Sequence, residues 1–265
     1  MTTRSADQPR ILNRGLRLAR LAAVSITPAG LRAGIRRAEA TWLDERFERN
    51  SPIQAMPGDL LDAVSGQEVT LPPRRMLMQP GNQTTDGLLF LISLARTIDA
   101  ETVFEIGTYN GLTTWCLARN LPRATVHTLD LPVDQIPALE LEPSDHLNRV
   151  AFEKRVYESL QTNGHVAQHW GDSATFDFSK WRGSCDLVYV DGAHSREYVE
   201  ADTRNAIEMV SMDGAIVWDD YWRHVSGVRT VLDSRTELGL YRVPGTRLVV
   251  HLSSGARQRI RRTAI

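Results

Sequence analysis

Three stretches of this 265-residue chain end in residues able to do chemistry: Val103 to Thr114, Cys185 to His194, and Ile216 to Asp220. Each is an apolar, β-branched-rich run that closes on glycines or carboxylates, the pattern of a buried strand running into a loop. In an open α/β sheet such endings gather at one edge, where ligands bind. Asp191, Asp219 and Asp220 would then bring three carboxylates to adjacent strand ends. Three hard oxygen ligands suit Mg²⁺ or Mn²⁺ in octahedral coordination, with positions left for water or substrate. Without a cation, the same crowding would repel and raise the carboxyl pKa values. The plainer alternative is a solvated turn at Asp219-Asp220, with Asp191 capping the next helix.

The first ending has the features of a cofactor loop. Gly107 allows a sharp turn from strand to helix, and Gly111 lets a ligand approach the backbone. The helix that follows offers free N–H groups and a partial positive charge. The glycines are spaced Gly-x-x-x-Gly, so the pyrophosphate fingerprint of dinucleotide enzymes is missing. Glu105, two residues before Gly107, would repel a phosphate but could hold an ammonium. Asp130 ends the next strand, where a carboxylate can accept both hydroxyls of a ribose. An adenosyl ligand without phosphates fits these residues; a bare strand-turn-helix is the alternative.

The elements that must position these residues alternate. Helical spacing runs from Thr84 to Ile98, followed by a strand at Thr102–Gly107 and a helix at Leu112–Arg119. A strand at Ala124–Asp130 precedes residues 131–150, which are rich in proline, leucine and acids and read as an insertion or lid. A helix at Phe152–Gln161 and strands at His165–Asp172 and Asp186–Asp191 come next. Ser195 can cap a helix reaching Val210. A strand at Gly214–Trp218, a helix at Val225–Leu232, and a hairpin of Tyr241–Val243 with Leu248–Leu252 complete the series. This alternation implies an α/β, doubly wound, mostly parallel sheet with a terminal antiparallel hairpin strand. The expected organisation is an N-terminal helical arm or cap over residues 1–75, one domain over 76–252, and a solvated basic tail over 253–265.

Composition excludes several function classes. Net charge is −1, which gives no global electrostatic case for nucleic acid or membranes. No run of about 20 apolar residues is present, so no transmembrane helix is expected. Arg20 and Pro28 interrupt the apolar stretch Leu18 to Leu31, which argues against a signal peptide and for a cytoplasmic enzyme. The arginine-rich first 38 residues are expected to pack on the core or on a second subunit as a homo-oligomer contact; lying on an anionic membrane surface is the alternative. Cys116 and Cys185 fall inside core elements and read as buried thiols.

These motifs together resemble class I S-adenosylmethionine-dependent methyltransferases, whose sheet has seven strands. Glu105, Gly107, Thr108, Tyr109 and Gly111 look like the first motif of the catechol and caffeoyl-CoA O-methyltransferase group. Asp130, with Leu131 beside it, looks like the ribose-binding acid, and Asp172-Ser173 looks like the motif flanking the adenine. Asp191 to His194 and Trp218 to Tyr221 look closer still to bacterial metal-dependent methyltransferases of natural-product sugars and their cephalosporin-hydroxylase-like relatives. The resemblance covers about residues 80–252. It implies S-adenosyl-L-methionine and Mg²⁺ (or Mn²⁺) as cofactors and O-methylation of a small-molecule hydroxyl on a sugar-bearing or polyketide-like metabolite, or on a phenol. An alcohol is a poor nucleophile at neutral pH, and an imidazole beside a metal can take its proton. His194 is the candidate base. Catechol-type relatives carry a lysine in that role, and no lysine follows Asp191 here. His224 is a reserve base. Tyr109, Tyr221 and Trp222 are candidates for the acceptor pocket, and Gln83 to Thr85 for the methionine end of the cofactor. The competing readings are a hydroxylase-like or hydrolytic metal enzyme on the same scaffold, and a non-catalytic interaction module.

Overall fold

The structure, a computed structural model, describes residues 47–48, 50–222 and 224–263. Contacts divide the chain between Pro52 and Ile53, and the elements below all belong to the unit that begins at Ile53. The arginine-rich first 38 residues of the expected 1–75 arm lie outside the described residues.

Eight strands form one sheet: β1 (Gln54–Ala55), β2 (Thr102–Ile106), β3 (Thr125–Asp130), β4 (His165–Trp170), β5 (Cys185–Val190), β6 (Val210–Trp218), β7 (Tyr241–Arg242) and β8 (Val249–Leu252). Their spatial order is β1-β7-β8-β6-β5-β2-β3-β4. Strands β2 to β6 pair in parallel, and β8 runs antiparallel to both β6 and β7. The doubly wound sheet and its terminal hairpin are therefore as expected, with one more strand than seven. The addition is two-residue β1, which pairs in parallel with β7.

Helices α1 (Gly58–Ser65), α2 (Arg74–Leu77), α3 (Thr85–Thr97), α4 (Leu112–Asn120), α5 (Pro143–Asn148), α6 (Val156–Ser159), α7 (Arg196–Met209), α8 (Ser226–Asp233) and α9 (Ser254–Thr263) accompany the sheet. The main apolar core joins Leu91 and Leu94 of α3 to Val103, Val126, Leu187, Ala215 and Val250 of the strands. Leu60 and Val64 of α1 belong to that core, so the body of the fold begins well before residue 76. Ala256 and Ile260 of α9 are buried in it too. The segment expected as a solvated tail is an amphipathic helix: Arg261 and Arg262 are exposed, while Arg257 and Arg259 reach back to the Leu252 and Ile98 carbonyls.

Two helices differ from expectation for local reasons. The helix expected over Phe152–Gln161 is reduced to the single turn α6, because Arg155 keeps an extended backbone that carries its side chain to Asp130. Ser195 does sit at the N-terminus of α7, but its hydroxyl makes no capping bond.

The register positions the chemistry. Ile106 pairs with Leu129 and with Val190, and Val190 pairs with Trp218. The residues immediately after these positions are Gly107, Asp130, Asp191 and Asp219. Neighbouring strands lie roughly 4.8 Å apart, so these four backbones are brought side by side at one edge. The strand order reverses between β2 and β5, which places the switch point of the sheet between Gly107 and Asp191.

Candidate active site

A cavity of about 560 Å³ opens over that edge. Gly107 and Asp130 reach it from one side, and Asp191, Asp219 and Asp220 from the other. The 131–150 segment covers it and contributes Leu131, Val133, Leu141 and Asp145.

Gly107 is required by both conformation and space. Its φ is +96°, and a Cβ there would overlap the carbonyl oxygen of Asp191. The close approach of the β2 and β5 ends therefore depends on the missing side chain. Gly111, at φ +77°, starts α4, but the Tyr157 ring and the Arg155 side chain occupy the space its Cβ would need. It faces those side chains and does not line the cavity.

Glu105 also points away from the cavity, into the protein. It is 1% exposed and accepts hydrogen bonds from the hydroxyls of Thr114 and Thr128, the latter at 2.6 Å. Thr108 joins this chain through a 2.6 Å hydroxyl contact with Thr128. Burial pushes the Glu105 carboxyl up to about 7, against the lowering effect of the two hydroxyls. In place of an ammonium contact, Glu105 makes a buried brace between β2, β3 and α4.

This placement makes stability depend on pH. The folded pKa lies above the unfolded value near 4.5. The contribution is thus full below about 4.5 and is lost as pH rises through about 7. A shift of this size corresponds to about 3 kcal/mol at most. Glu105→Gln keeps an acceptor for both hydroxyls. We expect its urea-unfolding free energy, relative to the unsubstituted protein, to be higher at pH 8 than at pH 5. A difference that does not change with pH would show that Glu105 does not titrate in this window.

Asp130 lines the cavity and is ion-paired at 2.6 Å with Arg155, which comes from beyond the lid segment. Arg155 also donates to the Tyr109 carbonyl and stacks over the Trp170 ring at 4.9 Å. Burial raises the Asp130 pKa, partly offset by Arg155 and by the Thr108 and Leu131 amides. Tyr109 (φ +48°) and Ser173 line the same cavity. Asp172 lines it too, but its carboxylate accepts from the Ala138 and Ala174 amides and from the Tyr198 hydroxyl, at 2.6, 2.8 and 2.7 Å. It anchors the lid.

The three aspartates converge: one oxygen from each of Asp191, Asp219 and Asp220 lies within 4.8 Å of the others. The Tyr189 hydroxyl sits beneath them, 3.1 Å from Asp191 and 3.2 Å from Asp219, and itself accepts from Gln83 at 3.1 Å. Gln83 is therefore buried under the carboxylates. Burial and the mutual repulsion of the aspartates raise the pKa of Asp191 and Asp219. Asp220 is lowered despite burial, because His194 bonds to it and Arg247 stands beside it. The backbone of Asp220 has φ +56°, an uncommon conformation for a residue with a side chain, which turns its carboxylate back toward Asp191 and Asp219.

His194 is held at both ends. Its Nδ1 meets Asp145, its Nε2 lies 2.8 Å from Asp220, and its backbone amide donates to Asp145 at 2.9 Å. Burial opposes a charge on the ring, but the bonds to Asp145 and Asp220 outweigh it and hold the pKa up to about 11. In this arrangement the ring carries a proton on each nitrogen.

Asp145, Arg155 and Arg247 are site residues that the sequence reading missed. Asp145 lies on α5 within the lid, where no motif marks it. Trp222 and His224 line the cavity, whereas Tyr221 is buried with its hydroxyl on Asp233. Both cysteines are buried and free, as expected. Among the described residues, no helix is long and apolar enough to cross a membrane.

Residues 104–221 match a family described as a methyltransferase domain, which bears out the resemblance read from the motifs. No curated protein matches the chain. Similar solved structures include the O-methyltransferase TomG of Streptomyces achromogenes, crystallised with S-adenosylmethionine. It is 19% identical, with 80% of this chain and 96% of that one covered and a TM-score of 0.46. A methyltransferase of Geobacter sulfurreducens is 12% identical, with coverage of 81% and 96% and a TM-score of 0.48. The TDP-rhamnose 3′-O-methyltransferase CalS11 is 14% identical, with coverage of 88% and 97% and a TM-score of 0.43.

Proposed function

We propose that this chain, which carries an S-adenosylmethionine-dependent methyltransferase domain, methylates a hydroxyl oxygen of a small molecule with a divalent cation held by Asp191, Asp219 and Asp220. The observation that carries the metal part is the convergence of these carboxylates at the wall of a cavity that they share with Gly107 and Asp130. The fit is chemical as well as geometric. The donors are all hard oxygens, and Asp219 Oδ1 is buried without a hydrogen-bond partner. A buried orphan acceptor is costly and points to a ligand that completes it.

The residues divide the work. Asp130 and Leu131, with Tyr109 and Ser173, form the wall suited to the adenosyl part, and the Gly107 turn leaves room for the chain to pass. S-Adenosylmethionine supplies the methyl group, and Mg²⁺ or Mn²⁺ supplies charge that lowers the pKa of an acceptor hydroxyl. Asp145 fixes the orientation of His194 and keeps its Nδ1 occupied, which leaves Nε2 toward Asp220 and the cavity. To act as a base, His194 must first give up the Nε2 proton it shares with Asp220; a cation held by Asp220 would supply charge that loosens this bond. The lid excludes water from the transfer. It is stitched down at Asp172 through Ala138 and at His194 through Asp145. Trp222 and His224 stand where they can contact the acceptor. We read the acceptor as a sugar-bearing or polyketide-like metabolite or a phenol, and the enzyme as cytoplasmic.

The test is calorimetric titration of S-adenosylmethionine into the purified chain, first with Mg²⁺ and then with a chelator. We expect micromolar binding that changes in strength when the cation is removed. No heat of binding under either condition would overturn the methyltransferase reading of the cavity. Binding indifferent to chelator would leave the cofactor site and remove the coupled metal.

A further inference from the structure

The carboxylate cluster has a cationic neighbour of an unusual kind. Arg247 stands on the turn between β7 and β8, and its carbonyl accepts from the Tyr221 amide at 2.9 Å, which pins the turn beside Asp219 and Asp220. Its guanidinium lies 2.8 Å from Asp220 Oδ1 and 4.0 Å from Asp219 Oδ2. The contact is close but poorly directed, since Asp220 Oδ1, Asp219 Oδ1 and Arg247 Nε are all buried without a hydrogen-bond partner.

Among the described residues, two other arginines near the cavity, Arg155 beside Asp130 and Arg149 in its wall, are locked. Arg155 bonds Asp130 and the Tyr109 carbonyl. Arg149 donates to the carbonyls of Pro132, Val133 and Gln135. The second cation at the cluster, His194, is already shared between Asp145 and Asp220. Tyr189 contributes only a neutral hydroxyl, since burial and the aspartates hold its pKa well above the ordinary value. Arg247 therefore supplies positive charge to Asp219 and Asp220 without being held by good hydrogen bonds. Its side chain is 30% exposed and borders the cavity, so it has somewhere to go.

We propose that Arg247 is a displaceable counter-cation that sets how tightly the aspartate cluster binds a divalent ion. This rests on the reading of Asp191, Asp219 and Asp220 as a metal site. Guanidinium and ion compete for the same oxygens. Two positive charges a few ångströms apart repel strongly where water is scarce. A guanidinium cannot yield by losing its proton, so it must move. Ion binding to the unsubstituted protein carries the cost of that movement, and binding to a protein without the guanidinium does not. Arg247 also explains how three carboxylates stay together when no ion is bound, because it supplies the charge that an ion would otherwise bring.

The experiment is titration of Mn²⁺ alone into the full chain, by calorimetry and by loss of the free-ion electron paramagnetic resonance signal. Arg247→Met is expected to bind Mn²⁺ at least tenfold more tightly than the unsubstituted protein. Arg247→Lys, which keeps a cation but one able to give up its proton, is expected to fall between the two. Arg259→Met, which removes a pair with Asp213 near the opposite end of β6, should leave affinity unchanged. Equal or weaker binding by Arg247→Met overturns the inference and leaves the metal site standing. Absence of Mn²⁺ binding in every variant overturns the metal reading and the inference with it. If Arg247→Met is unstable without the ion, the rise in melting temperature on adding Mn²⁺ becomes the measure. That rise should exceed the rise in the unsubstituted protein, and equal rises would again overturn the proposal.

Discussion

Asp191→Ala is expected to lower turnover roughly a thousandfold, equivalent to about 4 kcal/mol of barrier, and to abolish its dependence on divalent ions. Asp191 supplies one of three converging oxygens, and two carboxylates with Arg247 between them do not make a comparable site. Binding of S-adenosylmethionine should be largely spared, because Asp130, Leu131 and Tyr109 come from β3 and the β2–α4 turn. Stability should not suffer either. Burial and the charges of Asp219 and Asp220 already disfavour an ionised Asp191, so its removal relieves repulsion. Turnover, cofactor affinity and melting temperature, measured together, check the point. Turnover within tenfold of normal, still sensitive to chelator, would remove Asp191 from the reaction.

Gly107→Ala is expected to destabilise the fold by roughly 3 kcal/mol or more, a combination of backbone strain and a clash that cannot relax locally. The added methyl would meet the Asp191 carbonyl oxygen and carbon and come within 3.0 Å of the Gly192 Cα. All three are backbone atoms at the end of a central strand, so relief requires β2 and β5 to part. For a domain of this size the loss is on the order of 10 °C in melting temperature. The same displacement moves Asp191 and the Gly107 turn together, so under the proposed function cofactor affinity and ion dependence should fall in parallel. Gly245→Ala is the control. It shares a positive φ of +77° but has open space around it, and should lose only about 1 kcal/mol. Equal losses at the two positions would show that the contact with Asp191 is not what constrains Gly107.

The legible part of the site followed from largely apolar runs that stop at a glycine or a carboxylate. Val103–Ile106, Leu187–Val190 and Ala215–Trp218 are buried on both faces, so they read as central strands of a parallel sheet. The next residue in each case had to lie at the sheet edge. Glu105 misled because it stands inside such a run, one residue before the strand ends. Strand geometry turns it off the cavity toward Thr114 and Thr128. Gly111 misled because a glycine at a helix start serves a ligand and a packed ring equally well, and here the ring is Tyr157.

The sequence by itself determined the alternation of strands and helices, the order of the strand-end motifs, and the convergence of Gly107, Asp130, Asp191 and Asp219 on one edge. Periodicity and the rules of parallel sheets require only local information for this. The tertiary structure alone decided which partners these groups meet. Asp145 reaches His194 across 49 residues and makes the candidate base a held cation. Arg155 reaches back to Asp130 from beyond the lid, and Arg247 approaches the aspartates from the terminal hairpin. Such pairings leave no periodic trace, because each depends on where two distant loops come to rest on the finished sheet. They nonetheless govern the charge state of the site, since burial amplifies every interaction between the groups it brings together.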